Sequence, residues 1–196
     1  MTEFVLASAS PRRKELLEKM GLKFSIVVSD ADESSVTRDI PIGLYVQELA
    51  LLKASATAKM LIKNKNALII AADTIVTLDG EILGKPDGTD GAEKMLLSLS
   101  GRTHEVYTGY CVMRMRDGKT VCNSVRTEVK FKTLTEQKIR VYIESGEPMD
   151  KAGAYGIQGL GSMLIEKIDG DYFNVVGLPV SALADTLEEE FELEIL

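Results

Sequence analysis

Residues 67–72 read A-L-I-I-A-A, apolar throughout with no polar residue alternating, and the run closes on Asp73. A strand apolar on both faces needs cover on both faces, which is the pattern of a sheet with helices packed against it. Asp-Gly pairs at 79–80, 117–118 and 169–170 lie between strand-like segments and predict tight antiparallel turns. Strands joined through helices can run parallel, whereas strands joined by such turns cannot. The chain is therefore read as α/β, a mixed twisted β-sheet flanked by helices.

The expected strands are 4–7, 23–28, 67–72, 75–78, 81–83, 105–115, 119–132, 163–168 and 172–176. The expected helices are 11–20, 41–62 capped by Asp39, 89–99, 135–144 and one beginning at Pro179. In the long helix Tyr45, Leu49, Leu52, Ala56 and Met60 form the inward stripe, which places Lys53 on its shoulder. No repeat, low-complexity stretch or linker divides the 196 residues, so a single domain is expected.

A net charge of −7 disfavours nucleic acid as the main partner. The apolar runs are too short to span a membrane. Glu3 stands where a signal peptide needs basic residues. Two cysteines make no disulfide framework, which fits a reducing compartment. Cys111 and Cys122 fall on two arms of one hairpin, not opposite each other if its turn is the simple one at Asp117-Gly118. A protein of the cytoplasm, without a membrane partner, is expected.

One helix start breaks a local rule. Ser10 is a good N-cap and Pro11 a good first residue, yet Arg12, Arg13 and Lys14 crowd cations where the helix dipole favours anions. Two solvated arginines would read the same way. A phosphate at that terminus would instead repair the rule, taking backbone N–H groups, both guanidinium forks and the Ser8 and Ser10 hydroxyls.

Asp73 ends a buried strand where open sheets carry their sites, and the chain does not turn there, so the carboxylate is not needed for a turn. Lys85, in G-K-P, comes back along the hairpin opposite Thr74 in the simplest register. Glu33 sits in an acidic loop with Asp30 and Asp32. The stretch D-K-A-G-A-Y-G-I-Q-G-L-G at 150–161 is dense in glycine and matches neither a Walker A loop nor a dinucleotide fingerprint. Within it Gln158 offers a donor and an acceptor suited to the edge of a nucleobase. His104 and the acidic tail at 188–194 are read as structural and solvated, respectively. Acidic groups beside basic ones suggest a metal-bound polyphosphate as ligand.

Five motifs in order, S-A-S-P-R-R at 8–13, A-A-D-T-I-V at 71–76, G-K-P at 84–86, L-S-G-R-T-H-E-V-Y-T-G at 99–109 and D-K-A-G-A-Y-G-I-Q-G at 150–159, resemble the Maf family. The resemblance implies a fold like the inosine triphosphate pyrophosphatases, with two lobes around one cleft, and a homodimer. It implies a hydrolase of nucleotide metabolism that cleaves a nucleoside triphosphate to monophosphate and pyrophosphate with Mg²⁺ or Mn²⁺. The role would be cleansing of the nucleotide pool or control of cell division.

Carried onto this chain, the resemblance makes Asp73 the proton acceptor and places Ser8, Arg13, Glu33, Lys53 and Lys85 around phosphates and metal, with Glu33 and Asp73 at the metal. Arg12, Thr74 and Gln158 match the branch acting on dTTP and UTP, with CTP and modified pyrimidine nucleotides as further candidates. A 7-methyl-GTP pyrophosphatase, or a non-catalytic nucleotide-binding regulator of septum formation, is the alternative.

Overall fold

The computed structural model describes residues 2–195. Its strands are β1 (Glu3–Leu6), β2 (Phe24–Ile26), β3 (Ala67–Leu78), β4 (Glu81–Leu83), β5 (Thr103–Arg114), β6 (Thr120–Phe131) and β7 (Ile165–Asp169). Its helices are α1 (Pro11–Lys19), α2 (Ile42–Met60), α3 (Gly88–Leu99), α4 (Glu136–Glu144), α5 (Tyr172–Val176) and α6 (Val180–Phe191). The strands form one seven-stranded sheet in the order β2-β1-β3-β5-β6-β7, with β4 on β3. β1 runs parallel to both β2 and β3, while β3–β4 and β6–β7 are antiparallel, so the sheet is mixed as its turns and crossovers require.

Two compact units divide the chain. The first comprises the chain up to Asp73, Thr108–Val125 and everything from Gly177 on; the second comprises Thr74–Tyr107 and Arg126–Val176. β3, β5 and β6 each contribute residues to both.

In the first unit, Ala67, Ile69 and Ala71 of β3, Val5 and Ala7 beside them, and Cys111 of β5 pack against Ala50 and Ala54 of α2. Small residues allow close approach, and at Gly109 the approach is extreme. A Cβ there would lie 2.3 Å from the carbonyl carbon and oxygen of Val46. The α2 backbone thus rests directly on β5. The Tyr110 hydroxyl donates to the Ala182 carbonyl of α6, and it shares a bond with Thr186.

α1 begins as its sequence predicts. Ser10 Oγ accepts the Arg13 N–H at 3.5 Å, and the helix ends at Gly21, whose φ of +73° lets Leu22 bond back to Leu17.

In the second unit, α3 and α4 bury Leu96, Leu99 and Ile139 with Val76, Val106, Val129 and Phe131 of the strands, each full burial contributing roughly 1.5–3 kcal/mol. Thr135 caps α4 by accepting the Lys138 N–H. The Asp79-Gly80 turn has positive φ at both residues and sets Val76 opposite Leu83, the register expected of a two-residue loop.

Several expectations are corrected. Asp39 does not cap α2: the helix starts after Pro41, whose carbonyl accepts the Leu44 and Tyr45 N–H groups, and Asp39 instead bonds through its own N–H to Thr37. Pro41 favours an extended residue before it, which keeps Asp39 out of reach. The buried face of α2 is Tyr45, Val46, Leu49, Ala50, Ala54 and Thr57, and Met60 is exposed. Leu52 and Ala56 are only half-buried, because the helix has rotated toward its small residues at the contact with Gly109.

Residues 172–176 form helix α5 rather than a strand, started by Asp171, whose carboxylate accepts the Phe173 N–H. Asn174 of α5 is buried and donates to the Val106 carbonyl and Thr127 Oγ1, bonds that β-pairing would not provide. Cys111 and Cys122 do stand opposite each other. Gly118 and Lys119 both bond to Arg114, a bulge that shifts the hairpin register from the simple one. The neighbouring Cys122 thiol, together with burial, pushes the Cys111 thiol up. The acidic tail is solvated at Glu188–Glu190, but Phe191 is buried, with Arg114 and Lys119 over its ring. Among the described residues no helix is long and apolar enough to cross a membrane.

Candidate active site

β1 hands the chain to α1 through a turn built on Ser8. Its Oγ accepts from the Ser10 N–H at 3.2 Å and from Arg13 Nη1 at 3.1 Å. Arg13 Nε donates to the Gly177 carbonyl at 2.8 Å, just ahead of α6. The guanidinium is therefore a buried, oriented fork rather than a surface charge. Burial lowers its pKa from the ordinary arginine value, the Asp73 carboxylate works against that lowering, and Arg12 adds to it. Arginine remains a cation under all ordinary conditions. In the bonds to Ser8 and Ser10 the serine oxygens accept, so their hydroxyl hydrogens are the groups left to donate to a ligand. Arg12 is half-buried in the first turn of the same helix.

Asp73 was expected at a strand end but lies inside the long strand β3. The neighbouring parallel strand β1 ends at Leu6, opposite Ile70, so β3 outruns it and carries Asp73 past its C-terminal end. The edge that matters is β1's, and the β1–α1 turn with Ser8 begins there. Side chains alternate along a strand, so Asp73 shares the face of Ala67, Ile69 and Ala71, the face covered by α2.

Lys53 lies on the buried face of α2 between Ala50 and Thr57, not on its shoulder. Its Nζ donates to Asp73 Oδ1 at 2.5 Å and is 3.0 Å from Glu33 Oε1. Lys53 and Asp73 are 18% and 14% exposed, whereas Glu33 is 55% exposed at the start of a one-turn 3₁₀ helix, Glu33–Ser35. Glu33 is selected from its acidic loop because Asp32 is occupied, accepting the Ser34 N–H and hydroxyl. A cavity of about 540 Å³ beside Glu33 is lined by Val36, Thr37, Arg38 and Tyr45, residues no motif singled out. Only their proximity to Glu33 in the fold could have found them.

Ser8, Ser10, Arg12, Arg13, Glu33, Lys53 and Asp73 all belong to the first unit. Thr74, Lys85 and Gln158 belong to the second. Thr74 points to the face opposite Asp73, as strand alternation requires. The β3–β4 ladder stops at Val76–Leu83, so Lys85 lies in exposed chain beyond it rather than paired with Thr74. Gln158 is half-buried between Ile157 and Gly159 in a glycine-rich loop of unusual backbone angles, with positive φ at Gly153, Ala154 and Gly159.

His104, discounted from sequence, is buried in this unit. Its Nε2 bonds the Tyr155 hydroxyl at 2.6 Å, its Nδ1 has no partner among the described residues, and burial lowers its pKa to about 4.

Among the described residues no group of three or more His, Cys, Asp or Glu side chains is arranged to hold a metal. The donor set still suits Mg²⁺, which binds through one or two carboxylates plus substrate phosphates rather than in an all-protein cage. Glu33 and Asp73 converge on one ammonium, so two carboxylates already surround a position held by positive charge.

The fold is that of the Ham1 proteins: the solved structure of the Staphylococcus aureus Ham1 protein superposes with a TM-score of 0.51, covering 96% of this chain and 90% of that one at 18% identity. An α/β sheet with a half-buried carboxylate–lysine pair beside an arginine-bearing helix start is the class these features define. Within it, the chain belongs to the Maf-like protein family, which it matches over residues 3–190. It is 51% identical over 187 residues to a dTTP/UTP pyrophosphatase of Moorella thermoacetica, covering 95% of this chain and 94% of that protein. A dTTP/UTP pyrophosphatase of Bacillus cereus is 48% identical over 195 residues, covering 100% and 98%.

Proposed function

We propose that this chain is a nucleoside triphosphate pyrophosphatase that hydrolyses dTTP and UTP to the monophosphate and pyrophosphate. The observation that carries the reading is the Asp73 carboxylate held 2.5 Å from Lys53 Nζ, with Glu33 on the same ammonium and Arg13 buried nearby, in a chain half identical to enzymes of that name.

Asp73 orients a water against the phosphorus at the α,β bridge and takes its proton as the new P–O bond forms. The bond to the bridging oxygen breaks and pyrophosphate leaves. Lys53, Arg13 and Lys85 offset the negative charge gathering on the leaving group. Ser8 and Ser10 supply hydroxyl donors to phosphate oxygens. A divalent cation held by Glu33 and Asp73 would lower the pKa of a bound water and bind phosphate oxygens.

Arg12, Thr74 and Gln158 carry base discrimination, each able to hydrogen-bond polar edges of a pyrimidine. A purine would leave such groups unpaired, which a buried site penalises strongly. From the family we also infer a homodimer of the cytoplasm; sedimentation and cell fractionation test both.

The test is pyrophosphate release from a panel of nucleoside triphosphates with Mg²⁺ or Mn²⁺, beside Asp73→Asn. Release from dTTP and UTP that the variant loses while still binding nucleotide is the expected result. Preference for 7-methyl-GTP would move the chain to the other branch. Binding without release from any nucleotide would make it a regulator, and full activity in Asp73→Asn would remove the base.

A further inference from the structure

The loop bearing Gln158 is tied on both flanks to one pair of side chains. Tyr142 is a buried residue of α4, and Glu147 opens the 3₁₀ turn Glu147–Asp150 that follows. On the near flank the Gly156 N–H donates to the Tyr142 oxygen at 3.1 Å. Tyr142 passes its own hydrogen to Glu147 Oε1 at 3.0 Å. On the far flank the Gly161 N–H donates to the same Oε1 at 3.0 Å and the Leu160 N–H to Oε2 at 2.9 Å.

The flanks also touch each other. A Cβ on Gly161 would lie 2.1 Å from the Gly156 carbonyl oxygen, so only glycine permits this closure. Lys151 lies across Gly156 from outside, its Nζ donating to the Glu147 carbonyl at 2.6 Å. Ile157 is buried and Gln158 stands beside it, at the apex of a loop whose base is shut.

The Glu147 carboxylate accepts three hydrogen bonds, two of them from backbone N–H groups on the far flank of the loop. An ionised carboxylate is a stronger acceptor than a neutral group, and a shared node makes both flanks move together. Burial and the neighbouring carboxylate raise the Tyr142 pKa, so the hydroxyl stays protonated and available as a donor.

We propose that Tyr142 and Glu147 are specificity-positioning residues: by holding Gly156, Leu160 and Gly161 they set where the Gln158 carboxamide stands and so how strictly pyrimidine is selected over purine. The inference rests on the base-reading role given to Gln158 above. Neither residue touches the nucleotide; both act through the loop.

The experiment compares the full-length protein with Tyr142→Phe, Glu147→Gln, Gln158→Ala and the two double variants carrying Gln158→Ala. For each, kcat and KM are measured for dTTP and dATP, with the Kd of a non-hydrolysable α,β-methylene dTTP analogue and a thermal melt. Tyr142→Phe deletes one oxygen, and Glu147→Gln turns one acceptor toward an N–H into a donor.

The expected result is a fall of about tenfold in the dTTP-to-dATP ratio of kcat/KM, carried by KM and the analogue Kd, with kcat within about twofold. In the Gln158→Ala background the same substitutions leave the ratio where Gln158→Ala alone put it. If Gln158→Ala collapses discrimination while folded Tyr142→Phe and Glu147→Gln keep it, the positioning role is wrong and the base-reading role stands. Effects that add fully to those of Gln158→Ala refute it equally. If Gln158→Ala leaves discrimination intact, the base-reading role fails first and takes this inference with it. Should Glu147→Gln not fold, Tyr142→Phe decides the matter alone.

Discussion

Gly109→Ala tests how Lys53 reaches Asp73. The new Cβ would sit 2.3 Å from the Val46 carbonyl group and 2.6 Å from the Gln47 nitrogen, all backbone atoms of α2. Carbon contacts become comfortable near 3.5 Å, so α2 must retreat by about 1 Å. Lys53 lies two helical turns along from Val46, on the same face, and moves with it. Its 2.5 Å bond to Asp73 would then stretch to about 3.5 Å, the limit of a hydrogen bond.

Overpacking of this kind costs about 1–3 kcal/mol, or roughly 2–12 °C in Tm for a chain of this size. A misplacement of about 1 Å in a catalytic group costs on the order of 100-fold in turnover. The assay pairs a thermal melt with kcat/KM for dTTP; loss of activity well beyond the loss of folded protein is expected. Wild-type turnover in a destabilised Gly109→Ala would show that the α2 contact does not place Lys53, and unchanged stability would show that α2 does not press on β5 as described.

His104 is neutral in the folded protein, with a pKa of about 4 against an ordinary 6.5. As pH falls between those values the unfolded chain gains a proton the folded one refuses, so up to about 3 kcal/mol of stability, full above 6.5, is lost. Melts from pH 7 to pH 4 should show a shallower decline in His104→Phe than in the wild type; parallel curves would count against the buried ring as the cause. Arg13→Lys keeps the charge but not the fork that meets Ser8 and Gly177, so KM for dTTP should rise about tenfold or more with the fold retained; an unchanged KM would contradict that geometry. Gly80→Ala forces a side chain onto a φ of +84° and should cost about 1 kcal/mol in denaturant unfolding with turnover untouched, since the turn lies outside the site.

Much of the framework is legible in single residues. The unbroken run at 67–72 does form a strand buried on both faces, and Asp79-Gly80 forms the expected two-residue turn. Ser10 starts the helix its type predicts, Thr135 caps α4 within one residue of the expected start, and Gly21 ends α1. Such features are local: each rests on a φ angle, a hydrogen bond to a near neighbour or a two-residue alternation. The alternation even assigns Asp73 to the face of Ala71 and Thr74 to the other.

What local rules could not supply is which way each element turns toward its neighbours. The seating of α2 depends on a missing side chain at Gly109, far along the chain, and on Ala50 and Ala54 against the strands, and with it Lys53 faces Asp73 and Glu33. The β6 register follows from the bulge at Gly118, which sets Cys111 against Cys122. Residues 172–176 pair as readily with a strand as with themselves until Asn174 finds Val106 and Thr127. Residues 67–73 carry their own alternation and burial, so the order of their side chains could be read without neighbours. A site assembled from β1, α1, α2, β3 and the Glu33 turn depends on close contacts between segments distant in sequence, and only the packed chain contains them.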